Sequence, residues 1–337
     1  MKVTIYDVAR HAGVAPSTVS RAFAMPGRVN PATRDRVLAA AEELGYRPGN
    51  KGPGRTTDGH RTIAMLVSDI TNPHYFELIR GAELRARAAG STLVLVNCEE
   101  SPQIELEQIR GLAGSVGGFV LAASRLPDQD LRDIAAEHPV VLLSRELPGI
   151  LSVTLDMGSG CRQILEHLSS LGHRSLAYCA GPPSSWMGAV RWAALSAGAA
   201  EYDLEVHRAG PYTPTVANGS SAADAAVRTG ATAIVAHNDL LAIGIMRRLA
   251  DRGVRVPDEV SVVGFDNTFA ASLVQPALTT LGGAVSDAGR RAVDLLVSML
   301  GHSGPGRPDA HERVTLPTEL IVRASSGPAP SRPETTG

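Results

Sequence analysis

The sequence predicts an α/β protein in two parts: a three-helix head in residues 1–48 and a larger core of parallel sheets. From Thr62 onward, short apolar runs alternate with helical stretches, which is typical of parallel strands covered by helices. Ahead of them, helix caps and breakers divide the head into three short segments. Hydrophobic residues make up 44% of the 337 residues, enough to bury a large core.

Capping residues predict the three helices of the head. Thr4 is the expected cap of a first helix over residues 5–12. A second helix is predicted over residues 16–23, since proline suits its first turn. Asn30 is the expected cap of a third helix over residues 31–44.

The second helix has side chains that suit the major groove of DNA. Ser17, Thr18 and Ser20 are small and can bond bases or phosphates, and Arg21 can bond a guanine edge with two donors. Residues 1–55 hold nine Lys/Arg against four Asp/Glu, a net +5, whereas the rest holds 23 against 30, a net −7. Together these features favour a helix-turn-helix, in which the first two helices would pack through Val8, Ala9, Val14 and Val19. The alternative is a small helical cap with an incidental basic face.

The core alternates between the two element types. The predicted strands are 62–67, 92–97, 118–121, 140–143, 175–179, 233–236 and 260–263, and the predicted helices are 75–89, 104–113, 158–171, 184–200, 240–251 and 285–300. About 260 residues in this pattern exceed what one sheet usually needs, so two lobes are expected.

The ends of the core differ in composition. Residues 48–60 are rich in Gly and Pro and form the predicted linker, and residues 325–337 are expected to be a disordered tail. The three cysteines, Cys98, Cys161 and Cys179, are widely spaced and favour reduced buried thiols over a disulfide framework.

Several strings in the chain resemble the LacI family of repressors. VTIYDVARHAGVAPSTVSR at residues 3–21 and LGYRP at 44–48 are similar to that family's head, and DITNP, LGHR, HND, VPD and SVVGFD recur along the core. The resemblance covers nearly all of residues 3–323. It implies a DNA-binding head (1–48), a hinge (49–61), and a two-lobed dimerising core (62–324) like a type I periplasmic sugar-binding protein. Lobe 1 is then expected at 62–155 and 285–311, and lobe 2 at 156–283 and 312–324.

The resemblance also implies contacts to DNA. Thr4, Ser20 and Thr33 would lie at phosphates, while Ser17 and Arg21 would face bases, next to Pro16 as a specificity position. The chain departs from the family pattern where an asparagine that contacts phosphate is replaced by Ala24.

The predicted hinge departs further from the family pattern. Similar proteins have an Ala-rich helix there, with a leucine that enters the minor groove, but this chain has Gly52-Pro53-Gly54 followed by Arg55. Each glycine disfavours a helix by about 1 kcal/mol and proline by about 3 kcal/mol, so an independent hinge helix is not expected. Arg55 would enter a narrow minor groove or contact phosphate; the alternative is a plain flexible linker.

Polar side chains at strand ends predict a small-molecule site between the lobes. Asp266, Asn238 and Ser144-Arg145 each follow a predicted strand, and ligands of parallel sheets bind beyond the carboxyl ends of strands. A carboxylate, an amide and a cation suit the hydroxyl groups of a sugar or related metabolite.

The resemblance adds residues to this predicted site. Asp266, Asn238 and Arg191 match positions that contact the effector in similar proteins. Four aromatic residues match positions that line the pocket, although packing in the core is the alternative for each: Tyr75, Phe76, Trp186 and Tyr212.

The sequence favours a DNA-binding regulator, most simply a repressor, over two other classes. An enzyme is disfavoured because no nucleophile elbow, P-loop or HExxH motif is present. A free-standing sugar-binding protein is disfavoured by the basic head and by the absence of a signal peptide, so a cytoplasmic location is expected. No cofactor, metal site or membrane partner is predicted. The expected partners are a near-palindromic double-stranded operator, a small effector and a second copy of the chain.

The hinge composition generates a prediction about DNA shape. Without a helix and an apolar wedge to unstack a base step, binding should produce little bending at the centre of the operator. Circular-permutation gels measure that bend. A strong central bend would contradict this interpretation of residues 52–55.

Overall fold

The computed structural model describes residues 3–24, 26–44, 46, 62–301 and 312–330 and divides into two compact units, Met1–Arg61 and Thr62–Gly337. The first unit contains α1 (Ile5–Ala12), α2 (Pro16–Ala24) and α3 (Pro31–Glu43). The predicted hinge, including Arg55, lies outside the described residues.

Local hydrogen bonds fix the ends of the head helices as the sequence predicted. The backbone amide and the hydroxyl of Thr4 both donate to Asp7, at 2.9 and 2.6 Å. Asn30 accepts a bond from the amide of Ala32 at 3.0 Å. Gly13, with φ of 63°, ends α1 in the left-handed conformation that glycine adopts most easily.

The head encloses a small apolar core. Val8, Ala9 and Val19 are buried against Val37 of α3, and Val14 packs beside them half-buried. This confirms the predicted packing of the first two helices. It also leaves the polar side of α2 free at the surface.

The second unit alternates strands and helices throughout. Its strands are β1 (Thr62–Val67), β2 (Thr92–Asn97), β3 (Gly118–Ala122), β4 (Val140–Leu143), β5 (Leu151–Leu155), β6 (Ser175–Cys179), β7 (Glu205–Ala209), β8 (Ala233–Ala236), β9 (Ser261–Phe265), β10 (Thr279–Gly283), β11 (Arg313–Leu316) and β12 (Thr318–Ile321). Its helices are α4 (His74–Ala88), α5 (Pro102–Leu112), α6 (Asp128–Glu137), α7 (Met157–Ser170), α8 (Trp186–Gly198), α9 (Gly219–Arg228), α10 (Asp239–Asp251), α11 (Phe269–Leu273) and α12 (Val285–Gly301).

These strands form two six-stranded sheets of matching order, one in each lobe. The first runs β11-β5-β4-β3-β1-β2 and the second β12-β10-β9-β8-β6-β7. The pairs are parallel except for β10 with β12. Buried apolar clusters lie on both faces of each sheet, as expected for parallel strands covered by helices.

The chain passes between the lobes three times within the described residues: after β5, after β10 and between β11 and β12. The last crossing corrects a prediction, because residues 312–324 were all assigned to lobe 2. β11 instead pairs in parallel with β5 of lobe 1, and only β12 joins lobe 2. Hydrogen bonds connect two of the crossing segments. The amide of Asp156 donates to the carbonyl of Leu316, and the hydroxyl of Thr318 donates to the Asp156 carbonyl.

The predicted disordered tail is wrong for residues 325–330, which pack against lobe 2. Ser325 is fully buried, and its hydroxyl donates to Val262 at 2.6 Å and accepts from the amide of Thr279 at 2.8 Å. The carbonyl of Gly327 and the hydroxyl of Ser326 bond His173 and His167. Polar composition suggested disorder, but these hydroxyls satisfy buried backbone groups instead.

Two facing glycines allow α4 and α12 to approach closely. A Cβ at Gly289 would overlap the carbonyl oxygen of Leu78, and a Cβ at Gly81 would overlap that of Ser286. Both obstacles are backbone atoms and cannot rotate away.

Gly289→Ala should therefore destabilise the protein by about 1–3 kcal/mol or more, the usual cost of overpacking. Gly111→Ala in α5 is the matched control, because a Cβ there meets nothing within 4 Å and alanine favours a helix by up to about 1 kcal/mol. Urea unfolding midpoints measure both changes. Equal midpoints for the two variants would contradict the close packing.

Candidate functional site

A cleft lies between the two lobes, at the carboxyl ends of their parallel strands. It encloses about 560 Å³ of space, its open mouth included. The lining comes from both lobes: Tyr75, Arg125 and Ser144 lie on one side, and Arg191 and Asp266 on the other. The predicted site thus lies where the strand ends meet.

The centre of the cleft is a buried ion pair between α8 and the end of β9. Nη2 of Arg191 donates to Oδ1 of Asp266 at 3.1 Å, and Nη1 donates to the carbonyl of His237 at 2.6 Å. The guanidinium also stacks on Phe265, 4.3 Å from the ring centroid. These contacts hold Arg191, which in turn fixes Asp266 at the cleft wall.

A second ion pair lies across the cleft in lobe 1, between buried Arg125 and half-buried Glu100. Nε of Arg125 donates to Glu100 at 2.6 Å, and both residues line the cleft. Arg125 comes three residues after β3, so the rule of polar residues at strand ends applies to it, although the prediction did not include it. The predicted strand-end cation, Arg145, is turned away from the cleft: it donates to the carbonyls of Ser124 and Leu126 and to Asp128.

Two histidines complete the polar lining and were also missing from the prediction. Nδ1 of His74, from lobe 1, lies 3.5 Å from Oδ1 of Asp266 in lobe 2. Among the described residues, this nitrogen and Nε of Arg191 are buried without a hydrogen-bond partner. Burial, aided by the charges of Arg191 and Arg125, holds the pKa of His237 well below its usual value, so this ring is neutral.

Three other predicted residues line the cleft with part of their hydrogen-bonding capacity already used. The hydroxyl of Tyr75 bonds Ser68 at 2.6 Å, and burial raises its pKa to about 12. Asn238 caps α10 by accepting from Leu241 and donates to the carbonyl of Pro214. Ser144 sits in a left-handed turn with φ of 59°, which directs the chain around the cleft edge.

Three predicted aromatic residues lie outside the cleft lining. Phe76 is 48% exposed and stacks on Phe269 in a neighbouring groove, with ring centroids 6.4 Å apart. Trp186 and Tyr212 pack against the apolar clusters of lobe 2. In this geometry the core-packing alternative accounts for Trp186 and Tyr212, and a role for the three as pocket residues stays a prediction.

In the head, two predicted base-contacting residues lie together on the exposed side of α2. Ser17 and Arg21 are one turn apart, and Nη2 of Arg21 donates to Oγ of Ser17 at 3.4 Å. Beside them, Pro16, Thr18 and Ser20 are half-buried. This face joins a hydroxyl group from the first turn of α2 and a cation from its last turn.

Two of the three predicted phosphate contacts lie at the starts of other helices, whereas Ser20 lies within α2. Thr4 caps α1 and is exposed, and Thr33 is half-buried in the first turn of α3. Helix N-termini present backbone amides and attract anions. Tyr6, left 66% exposed on α1, is a further surface residue that the prediction did not include.

Within the described residues, no group of three or more His, Cys, Asp or Glu is arranged to hold a metal ion. The same residues include no helix that is both long and apolar enough to cross a membrane. Cys98, Cys161 and Cys179 are all buried and unpaired.

Two family models match the chain. Residues 4–49 match the bacterial regulatory proteins of the lacI family, and residues 165–326 match a periplasmic binding protein-like domain. Among curated proteins, the transcriptional regulator DegA of Bacillus subtilis is 30% identical over 97% of this chain and 99% of its own length. The transcriptional repressor CytR of Escherichia coli is 29% identical over 97% of both chains.

Solved structures agree with these matches. A CelR–cellobiose complex has a TM-score of 0.69 at 29% identity, covering 96% of this chain and all of that one. A lac repressor dimer bound to operator and the anti-inducer ONPF has a TM-score of 0.71 at 27% identity, covering 97% of this chain and all of that one. The chain therefore belongs to the lacI family of bacterial regulatory proteins, which are DNA-binding transcriptional regulators and not enzymes.

Proposed function

We propose that this regulator binds a small, uncharged polyhydroxylated effector, a sugar or a related metabolite, in the cleft between its lobes. The observation that carries the proposal is the Arg191–Asp266 pair, fixed and buried at the cleft wall. A carboxylate held in this way can accept hydrogen bonds from two neighbouring hydroxyl groups, and charge-assisted bonds of this kind are strong.

The charge balance of the cleft favours an uncharged ligand. Arg191 is paired with Asp266, and Arg125 with Glu100, so neither guanidinium is an uncompensated cation that would attract an anion. The groups in these pairs still provide both donors and acceptors, as hydroxyl groups require. Tyr75, Ser144 and Asn238 add polar groups at the edges, and Met157 and Met187 supply adaptable apolar surface. A solved relative, the CelR–cellobiose complex, holds a sugar.

In the head, we propose that α2 enters the major groove and that Ser17 and Arg21 read base edges. Both are exposed on one side of the helix, which leaves them free to approach DNA. Thr4, Ser20 and Thr33 would fix the position of the head on phosphates, with Pro16 and Thr18 close to the bases. Arg55 is proposed as a further DNA contact on sequence grounds alone.

The regulator should act as a homodimer on a near-palindromic operator, placing two α2 helices about one DNA turn, roughly 34–36 Å, apart. Exposed apolar side chains support pairing with a second copy, notably Phe269 and Leu273 on α11. The effector would favour one lobe arrangement over another and so change DNA affinity. We propose repression in the cytoplasm as the outcome.

Thermal-shift screening with sugars and related metabolites tests the cleft. A sugar that binds should stabilise the protein by about 2.7 kcal/mol when present at roughly 100 times its Kd. Asp266→Ala should abolish that shift, because it removes the main acceptor and leaves Arg191 unpaired. Asp258→Ala is the matched control, since it removes an exposed carboxylate remote from the cleft. An undiminished shift in Asp266→Ala would rule out this binding mode.

Gel shifts with wild-type and mutated operators test the head. Arg21→Ala should relax base specificity by about 1–3 kcal/mol at one position of each half-site. Thr33→Ala should weaken binding by a similar factor on every sequence, because a phosphate contact carries no base information. A uniform loss in Arg21→Ala would assign that side chain to the phosphates instead. Both measurements need a stated salt concentration.

A further inference from the structure

A buried carboxylate lies behind the cleft wall and belongs to neither ion pair. Asp239 is the first residue of α10, is fully buried and does not line the cleft. Its Oδ2 accepts from the amide of Thr268 at 2.7 Å and from that residue's hydroxyl at 3.0 Å. Its Oδ1 accepts from the hydroxyl of Thr280 at 2.6 Å. One side chain thus joins α10 to β10 and to the turn after β9.

That turn has an unfavourable backbone conformation and carries the main cleft acceptor. Asp266 has φ of 103° and Asn267 φ of 47°, a region that residues other than glycine adopt at a cost. Such turns persist only where surrounding contacts hold them. The amide of Asp266 bonds the carbonyl of Leu281, the amide of Asn267 bonds Thr280, and Thr268 bonds Asp239.

The space around Asp239 is closely filled. A Cβ at Gly264 of β9 would overlap Oδ1 of Asp239, so the carboxylate packs directly on the strand that leads into the turn. The carboxylate therefore reaches both Thr268 and Thr280 from a single fixed position.

We infer that Asp239 is a positioning residue for effector recognition: it holds the Asp266–Thr268 turn and so keeps Asp266 aimed into the cleft. The inference rests on the proposed role of Asp266 as the effector's acceptor. Asp239 acts entirely through that turn, so its loss should affect the order of the turn with or without a bound sugar.

The charges around this turn predict that its order depends on pH. Asp266 follows β9, Arg191 pairs with it from α8, His74 faces it from α4, and Arg323 bonds Asn267 at 2.8 Å. Burial, and then the negative charge of Asp266, raise the pKa of Asp239 from 3.8 to about 7, although the bonds from Thr280 and Thr268 act in the opposite direction.

The direction of this pH dependence depends on which form of the protein binds the proton of Asp239 more tightly. Burial and the charge of Asp266 raise the pKa of Asp239 in the folded protein, so protonation favours the folded region over an opened form in which Asp239 reaches water. That contribution is complete below about 3.8 and is lost as the pH rises to about 7. An asparagine side chain does not titrate, so the turn in Asp239→Asn should lack this pH dependence.

Amide hydrogen exchange of residues 265–273 in the full-length protein tests the inference without any effector. Asp239→Ala should lower protection of this segment about tenfold or more, because it removes all three bonds and leaves a buried amide unpaired. Asp239→Asn should recover most of that protection, since its oxygen can still accept from Thr268. Protection corrected for intrinsic exchange should fall between pH 4 and pH 7 in the wild type and stay level in Asp239→Asn.

Asp224→Ala is the matched control, because it breaks half-buried ion pairs of α9 with Arg248 of α10 and with Arg252 just after that helix. It should leave exchange of residues 265–273 unchanged. If Asp239→Ala does not fold, Thr280→Val, which removes one hydroxyl, should lower protection, and Thr280→Ser should restore it. Wild-type protection in Thr280→Val, or in a folded Asp239→Ala, would overturn the inference.

Binding of D-ribose, D-xylulose and cellobiose, measured by calorimetry, separates this inference from the proposed function. For any sugar that binds, both Asp266→Ala and Asp239→Ala should weaken affinity about tenfold or more. Unchanged affinity in Asp266→Ala would defeat the proposed effector site, while the exchange result for Asp239 would stand. Loss only in Asp266→Ala, with normal exchange in Asp239→Ala, would defeat the inference alone.

Discussion

The cleft depends on one constraint: parallel strands in a sheet end at the same edge. Each lobe therefore brings several strand-to-helix turns to one place, and the three crossings place those edges opposite each other. Glu100, Arg125 and Ser144 come from turns of lobe 1, while His237, Asn238 and Asp266 come from turns of lobe 2. No single segment could supply these groups, because neighbouring residues in one strand point to opposite faces.

Burial determines how the charged side chains at this edge are paired. A guanidinium or carboxylate removed from water is stable only when it is paired and hydrogen-bonded, and removing one partner is strongly destabilising. The cleft meets this condition with pairs inside each lobe, Arg125 with Glu100 and Arg191 with Asp266. Because each pair belongs to one lobe, movement of the lobes relative to each other need not expose an unpaired charge. A binding site between mobile lobes requires that property.

The contacts that do cross the cleft are weaker. His74 lies 3.5 Å from Asp266 without a formed hydrogen bond, and Phe76 stacks on Phe269 at the exposed rim. A close approach without a formed hydrogen bond and an exposed ring contact each contribute little compared with buried cores. Strong charge pairs within the lobes and weak contacts between them are consistent with a protein whose lobes change their arrangement when an effector binds.

The sequence predicted most of the fold because local patterns determine much of it. Caps and apolar periodicity predicted α1 to α3 and most core helices within a few residues. The prediction omitted β5, β7 and β10 to β12, where polar residues interrupt the apolar pattern, as in Glu205–Ala209. Whether β11 and β12 join different sheets depends on pairing partners distant in sequence, which periodicity does not reveal.

The sequence predicted only part of the site, and the reason is related. Strand-end polarity pointed to Asp266, Asn238 and Ser144, which line the cleft, but the direction of a side chain depends on its partners. Arg145 turns toward three acceptors in its own lobe, and Arg125 turns to Glu100 at the cleft. Both arginines follow strands, so sequence position alone does not distinguish them. Sequence position does not place the aromatic residues either, because apolar packing is an equally good environment for Trp186 and Tyr212.

The capping bond of Thr4 limits how the head can contact DNA. The hydroxyl of Thr4 donates its only proton to Asp7, whose pKa these bonds lower, so the carboxylate is ionised and keeps that proton engaged. A phosphate oxygen can only accept, so Thr4 cannot donate its hydroxyl to DNA while it caps α1. The first amides of α1 have no partner within the helix and point outward at its N-terminus, where they can donate to a phosphate. The capping residue would then serve DNA binding by fixing those amides, and its side chain would not be the donor.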